Sequence, residues 1–349
     1  MKFSTLGSSG LNVSRVCLGT MTWGTQNTQQ DADEQIEYAL SRGINFIDTA
    51  EMYSIPPNAE SYGKTETIIG NWLARNAGKR SDIILASKIA PGLPWVRGGM
   101  PLCRQAVIEA VDNSLKRLQT DYIDLYQLHW PNRTSPHFGK HFPNHYRFTD
   151  ADAEVETVGM LDILEGLNEC VAAGKIRHCG LSDDTTWGIA TYLKLSQAHN
   201  LPRMVSIQNE FNLLHIKDWP YLIEHCAMEN IAYLPWSPLA GGMLSGKYLN
   251  GARPAGSRWT ISQRNGLFRD TVDSSAAIEA YMGVAKKHGI TASQLALVWC
   301  DRIDGVTSTI IGATTMAQLQ EDIDAFDIDF TDSMKQDVLE VIKRYPTPF

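Results

Sequence analysis

Short apolar runs alternate with longer amphipathic stretches along nearly the whole chain, and the alternation repeats eight times. Runs of a few apolar residues bounded by turn signals read as buried strands, and apolar positions spaced at 3–4 read as helices with one buried face. Strands are expected over 16–20, 45–50, 82–89, 122–129, 176–182, 205–209, 232–237 and 307–312. Helices are expected over 31–42, 64–76, 103–119, 158–173, 185–199, 219–229, 275–288 and 292–303, with a last one from residue 316 and then a tail. Ahead of the repeat, 2–7 and 11–14 flank Ser8-Ser9-Gly10, a hairpin signal, read as a plug over one end of the fold. Two segments break the rhythm: a Pro- and His-rich stretch at 130–156, and a Gly- and Arg-rich loop running from the seventh strand to about 273.

Strict alternation implies parallel strands joined by crossover helices, and eight units close an α/β fold, the (β/α)8 TIM barrel. An open doubly wound sheet is the competitor, but neither G-x-G-x-x-G after the first strand nor a Walker loop is present. The 349 residues fit one domain spanning 1–349, a barrel of roughly 250 residues plus long loops. Net charge is −8 without a basic tract, which argues against a nucleic-acid partner. No apolar run reaches membrane-spanning length and no leader pattern opens the chain, so a cytoplasmic protein without a membrane partner is expected. Cys17, Cys103, Cys170, Cys179, Cys226 and Cys300 lack Cys-x-x-Cys spacing and fit a reduced compartment. No heptad or apolar stripe announces an interface, so the oligomeric state is not legible.

In such barrels chemistry collects where strands end, at the C-terminal face. Asp48 ends the second strand with Tyr53 just beyond it, Lys88 ends the third and His129 the fourth. Singly, each has an ordinary explanation: a capping acid, a tyrosine over the mouth, a snorkelling lysine, a satisfied core histidine. Together, four ionisable groups at one level of three neighbouring strands point to a site. A buried Lys88 would pair with Asp48 and stay charged. That charge is expected to lower the Tyr53 pKa from about 10 toward the range of a general acid. A neutral His129 would orient a carbonyl, and the set would deliver a proton to an oxygen becoming an alkoxide. A Schiff-base role for Lys88 is the rival chemistry, disfavoured because pairing with Asp48 keeps the amine protonated.

The segments Gly19-Thr20-Met21-Thr22-Trp23-Gly24, Phe46-Ile47-Asp48-Thr49-Ala50-Glu51-Met52-Tyr53, Ala86-Ser87-Lys88 and Asp124-Leu125-Tyr126-Gln127-Leu128-His129-Trp130 resemble the aldo-keto reductases nearly end to end. The likeness is greatest to their bacterial Tas-like branch and extends to the branch containing potassium-channel β subunits. It implies a nicotinamide-dependent carbonyl reductase in which Tyr53 donates the proton, Lys88 and Asp48 tune it, and His129 orients the substrate. It also implies a cofactor track that takes in Thr20, Met21 and Asp48. Ser182 would reach the carboxamide beside Asp183, which stands where the family has Asn, and Gln208 would join them. Trp236 would wall the nicotinamide, and the turn Ser237, Pro238, Leu239, Gly241 would approach the pyrophosphate. Lys247 and Arg258 would meet phosphates. Gly312, Thr314, Gln318, Glu321 and Asp322 would take the adenosine half, with Asp322 again replacing an Asn. The two cations favour NADPH over NADH. The expected function is NADPH-dependent reduction of a small-molecule aldehyde or ketone; the alternative is a cofactor-binding regulatory protein with slow turnover.

His137, His141 and His145 recur every fourth residue, a spacing that on a helix would suggest zinc. Pro136, Gly139 and Pro143 argue against a helix there, so no metal is expected and the stretch reads as a substrate-facing loop. Trp23, Trp95 and Trp130 are the aromatic candidates for an apolar pocket mouth.

Overall fold

The computed structural model describes residues 1–143, 145, 147, 150–261 and 267–349. Parts of both rhythm-breaking segments, 144, 146, 148, 149 and 262–266, lie outside the described residues. The chain opens with the antiparallel pair β1 (Phe3–Thr5) and β2 (Asn12–Ser14). The repeat follows as β3 (Val16–Gly19), α1 (Gln29–Ser41), β4 (Phe46–Asp48), α2 (Lys64–Arg75), β5 (Ile84–Ile89), α3 (Arg104–Leu118) and β6 (Ile123–Leu128). It continues as α4 (Ala153–Ala172), β7 (Ile176–Ser182), α5 (Thr186–His199), β8 (Met204–Glu210), α6 (Tyr221–Met228) and β9 (Ala232–Trp236). A short α7 (Arg258–Ile261), then α8 (Val272–Lys287), α9 (Ala292–Arg302), β10 (Thr309–Ile311), α10 (Met316–Asp324) and α11 (Asp332–Arg344) complete it.

The eight strands from β3 to β10 form one parallel sheet in the order β10-β3-β4-β5-β6-β7-β8-β9, and a bridge between Tyr233 and Val306 brings its two edges together. This is the (β/α)8 TIM barrel that the alternation predicts. Strands β5 and β6 are buried at every residue, as parallel strands covered on both faces must be. One apolar cluster lies between strands and helices and a second fills the barrel's lower interior.

The hairpin closes that lower end. Leu6 and Val13 are fully buried and pack with Cys17, Phe46, Ile84, Val205 and Ala232, near the strand beginnings. The turn comes so close that a Cβ on Gly7 would stand 2.3 Å from the Val205 carbonyl oxygen, and Gly7 holds φ +51. The opposite face is left to the long loops. Among the described residues no helix is long and apolar enough to cross a membrane.

The differences from the sequence reading sit at element ends. Helix α1 begins at Gln29 because Thr28 and Asp31 form a capping box, which places the start two residues earlier than the apolar period does. Helix α4 begins at Ala153, capped by the Asp152 carboxylate; its first turns are solvent-facing, with Val155 and Val158 exposed, so no apolar period marks them. The expected tail contains a further helix, α11, whose start is capped by the Thr331 hydroxyl accepting from the Met334 N–H. Trp23 does not lie at the mouth: it is fully buried against α1, donating to Gln35 Oε1 at 3.0 Å.

Candidate active site

Asp48 and Lys88 end inward-facing runs on adjacent strands, and the packed sheet brings them together. Lys88 Nζ lies 2.5 Å from Asp48 Oδ2 and donates to the Thr49 carbonyl at 2.8 Å. Burial works against the Lys88 ammonium, yet the attraction of Asp48, with Tyr53 adding to it, leaves its pKa above the ordinary value. The other Asp48 oxygen accepts from Gln127 Nε2 at 3.1 Å and Gln208 Nε2 at 2.9 Å. A fully buried charge pair is costly unless its remaining lone pairs are satisfied, and these two amides satisfy them. Thr20 adds a hydroxyl bond to the Asp48 carbonyl at 2.9 Å.

Lys88 Nζ lies 5.1 Å from the centroid of the Tyr53 ring, and the His129 ring meets Tyr53 edge-on at 5.6 Å. The sequence expectation for the Tyr53 pKa is corrected here. Burial raises it, the Lys88 charge lowers it, Asp48 and Asp183 raise it again, and the balance stands above the ordinary value. The phenol therefore keeps its proton at neutral pH. His129 is held well below its usual pKa, first by burial and then by Lys88, so its ring is neutral. Its Nδ1 has no partner among the described residues. Trp130 packs beside it at 4.9 Å. A protonated phenol with a fixed cation 5.1 Å from its ring and a neutral imidazole edge-on to it is an arrangement that can deliver a proton to an oxygen.

On the next strands, Ser182 and Asp183 are buried at the end of β7, and Asp183 accepts from Trp236 Nε1 at 3.1 Å. Burial pushes the Asp183 pKa well above the ordinary carboxylate value, which favours its protonated form. Gln208 Nε2 faces Asp48 and Gln127. After β9 the chain winds through positive φ at Ser237, Ala240, Gly241 and Gly242, with Pro238 and Leu239 inside the same turn.

Arg258 opens α7 and is enclosed between elements of the rim; burial lowers its pKa, and Tyr53 counts among the groups that raise it. Its Nη2 meets Met21 Sδ at 3.4 Å, and among the described residues it has no carboxylate partner. Lys247 is exposed beside Tyr248, 5.3 Å from that ring, and acts on the buried Asp322. Burial, helped by Glu321 and opposed by Lys247, pushes the Asp322 pKa up to about 7. Gln318 Oε1 accepts from both the backbone N–H and the hydroxyl of Thr314 at 2.9 Å, and Glu321 accepts from Thr291 at 2.6 Å. At Gly312 a Cβ would meet only the Gly19 carbonyl, at 3.8 Å, so no protein atom there demands glycine.

The three spaced histidines do not converge: His137 meets the Asp184 carbonyl, His141 that of Phe349 and His145 that of Gly139. The 130–152 segment instead brings Phe138 onto Trp236, stacked at 5.9 Å, and His137 within 3.7 Å of Asp183. Gln127 and Phe138 are the members that sequence reasoning missed. An amide near the C-terminal end of the buried strand β6 was the available signal for Gln127; Gly180 opposite makes room for it, since a Cβ there would lie 3.1 Å from Gln127 Cγ.

An eight-stranded parallel barrel with its ionisable cluster at the C-terminal rim defines a barrel enzyme site. The aldo/keto reductase family model matches residues 15–343, and the chain belongs to that family. It is 42% identical over 354 residues to "Protein tas" of Escherichia coli K12, covering the full length of both. It is 28% identical to a "Probable voltage-gated potassium channel subunit beta" of Arabidopsis thaliana, across 94% of this chain and 92% of that one. It is 29% identical to "Versiconal hemiacetal acetate reductase" of Aspergillus parasiticus, across 86% and 85%. The family consists of oxidoreductases that use NAD(P)H and act on small-molecule carbonyl compounds.

Proposed function

We propose that this chain reduces aldehydes or ketones to alcohols with NADPH, acting as one catalytic domain over its whole length. The observation that carries the reading is the Lys88 ammonium, buried against Asp48 and set 5.1 Å from the Tyr53 ring. When bound, the nicotinamide supplies a hydride to the carbonyl carbon. Tyr53 holds the proton that the oxygen takes, and Lys88 stabilises the tyrosinate left behind. Asp48 holds Lys88 in place and charged. His129, neutral, offers a ring nitrogen to the carbonyl and fixes its direction.

The residues fit an anionic cofactor. Arg258 is an enclosed guanidinium without a carboxylate partner among the described residues, and a phosphate would complement it. In this reading Lys247 serves a second phosphate, and Trp236 and the turn through Gly241 flank the ring and pyrophosphate. Ser182, Asp183 and Gln208 hold the carboxamide. Burial favours the protonated form of Asp183, and in that form it has a hydroxyl to donate, one of the capacities of an amide. Gly312, Thr314, Gln318, Glu321 and Asp322 bound the adenosine end, and Thr20 and Met21 the inner wall.

The test is a titration with NADPH and NADH followed by tryptophan fluorescence, joined to turnover on a panel of carbonyls. NADPH-preferring quenching with turnover supports the reading; turnover that survives Tyr53→Phe removes the proton assignment. A second reading, a cofactor-binding regulatory protein with slow turnover, draws on the likeness to a channel β subunit over 94% of this chain. Tight binding without turnover on any carbonyl would favour it.

A further inference from the structure

Tyr53 lies in a loop, and loops hold catalytic groups loosely unless something fixes them. Two residues before it, Glu51 is fully buried, and its backbone N–H donates to the Lys88 carbonyl at 3.1 Å. Its carboxylate accepts four hydrogen bonds. Oε1 takes the Ala90 N–H at 2.8 Å and Arg97 Nη2 at 2.8 Å, and Oε2 takes Arg97 Nη1 at 2.6 Å and the Tyr62 hydroxyl at 3.0 Å. Arg97 Nη2 also donates to the Ala90 carbonyl at 2.7 Å. Ala90 stands two residues beyond Lys88. The loop that carries Tyr53 is thus stitched at two points to the segment that carries Lys88, at the lysine's own carbonyl and at Ala90 just past the strand end.

A second buried pair supports the first. Tyr62, whose hydroxyl reaches Glu51, has its ring 5.0 Å from the Arg117 guanidinium. Arg117 Nε lies 2.6 Å from Glu66 Oε2, and the other Glu66 oxygen accepts from Ser87, the neighbour of Lys88. A buried ion pair adds little net stability compared with apolar packing, and its best-attested use is to fix one geometry among several. None of these groups touches the space before Tyr53 and His129 along the hydrogen bonds described, so a direct chemical role is not their use.

We propose that Glu51, clamped by Arg97, is a positioning residue that holds the Tyr53 phenol against the Lys88 ammonium. The inference rests on Tyr53 being the proton donor of the proposed reaction. Lys88 is the chief group pulling the Tyr53 pKa down, so loosening the clamp moves that pKa further up. The alkaline limb of carbonyl reduction, where a protonated Tyr53 is required, then moves to higher pH.

The experiment compares wild type, Glu51→Gln and Arg97→Lys by NMR of tyrosine labelled at Cζ, with the Tyr53 signal assigned by its loss in Tyr53→Phe. Glu51→Gln is expected to raise the Tyr53 titration midpoint and to lower kcat about tenfold to a hundredfold. KM and the NADPH Kd should stay within about twofold. Arg97→Lys keeps the charge but not the two-pronged grip and should fall between. It carries the test if Glu51→Gln does not fold. A folded variant with an unchanged Tyr53 midpoint and unchanged kcat overturns the proposal. If wild type turns over no carbonyl, the functional reading fails, while the NMR midpoints still decide whether Glu51 places Tyr53 against Lys88.

Discussion

Trp236 donates its indole N–H to Asp183 across 3.1 Å, tying the end of β9 to the end of β7 past the end of β8. Burial raises the pKa of the acceptor carboxyl, and the bond from Trp236 pulls the other way. Phe138 lies on the same indole at 5.9 Å. One side chain thereby joins two strands and the loop above them.

The Asp183 carboxyl is raised in the folded state relative to an unfolded value of about 3.9, so the native protein binds the extra proton. Its stability should therefore fall as pH rises from about 4 toward the folded pKa, because the unfolded chain binds fewer protons there. Asp183→Asn should remove that slope and be more stable than wild type at pH 7 to 8, with the advantage vanishing near pH 4. Urea unfolding at several pH values measures it; parallel curves for both proteins would contradict the assignment.

Tyr53→Phe removes one hydroxyl from an otherwise intact cluster. Carbonyl reduction should drop by roughly 10²- to 10⁴-fold, the usual contribution of a placed general acid, with NADPH binding nearly unchanged. Single-turnover kinetics and a binding titration separate the two effects.

Arg258 is the enclosed cation near Met21. Hydrogen bonds to charged groups contribute about 1.5–3 kcal/mol, so Arg258→Ala should raise the Kd for NADPH by roughly ten- to a hundredfold. If the guanidinium meets the 2′-phosphate, NADH binding should change less. Equal losses would move Arg258 to a phosphate that both cofactors share.

Gly7→Ala would drive a methyl group against the Val205 carbonyl oxygen, 2.3 Å away, from a residue at φ +51. Overpacking of this kind typically costs about 1–3 kcal/mol, and a lowered Tm with unchanged cofactor affinity is the expected pair of results. A loss of affinity at unchanged Tm would place the hairpin in the wrong part of the fold.

The barrel was legible because burial on both faces makes its strands short and mostly apolar, as in Ile84–Ile89 and Ile123–Leu128. Asp48, Lys88 and His129 were legible because each interrupts or ends such a run. Helix starts were harder: the cap of α1 is set by a Thr28–Asp31 exchange, and that of α4 by Asp152 in a charged stretch without period. The Tyr53 pKa was misjudged because a neighbouring charge is visible in sequence whereas the depth of burial is not. The Glu51–Arg97 clamp joins residues 46 positions apart through side chains alone, and no local pattern announces such a contact.

Leu6 and Val13 pack into the apolar cluster at the lower end of the barrel, on the side away from the strand ends that carry Asp48 and Lys88. The small N-terminal hairpin, far from the reacting groups, thereby gives the barrel a floor and leaves its other end as the mouth.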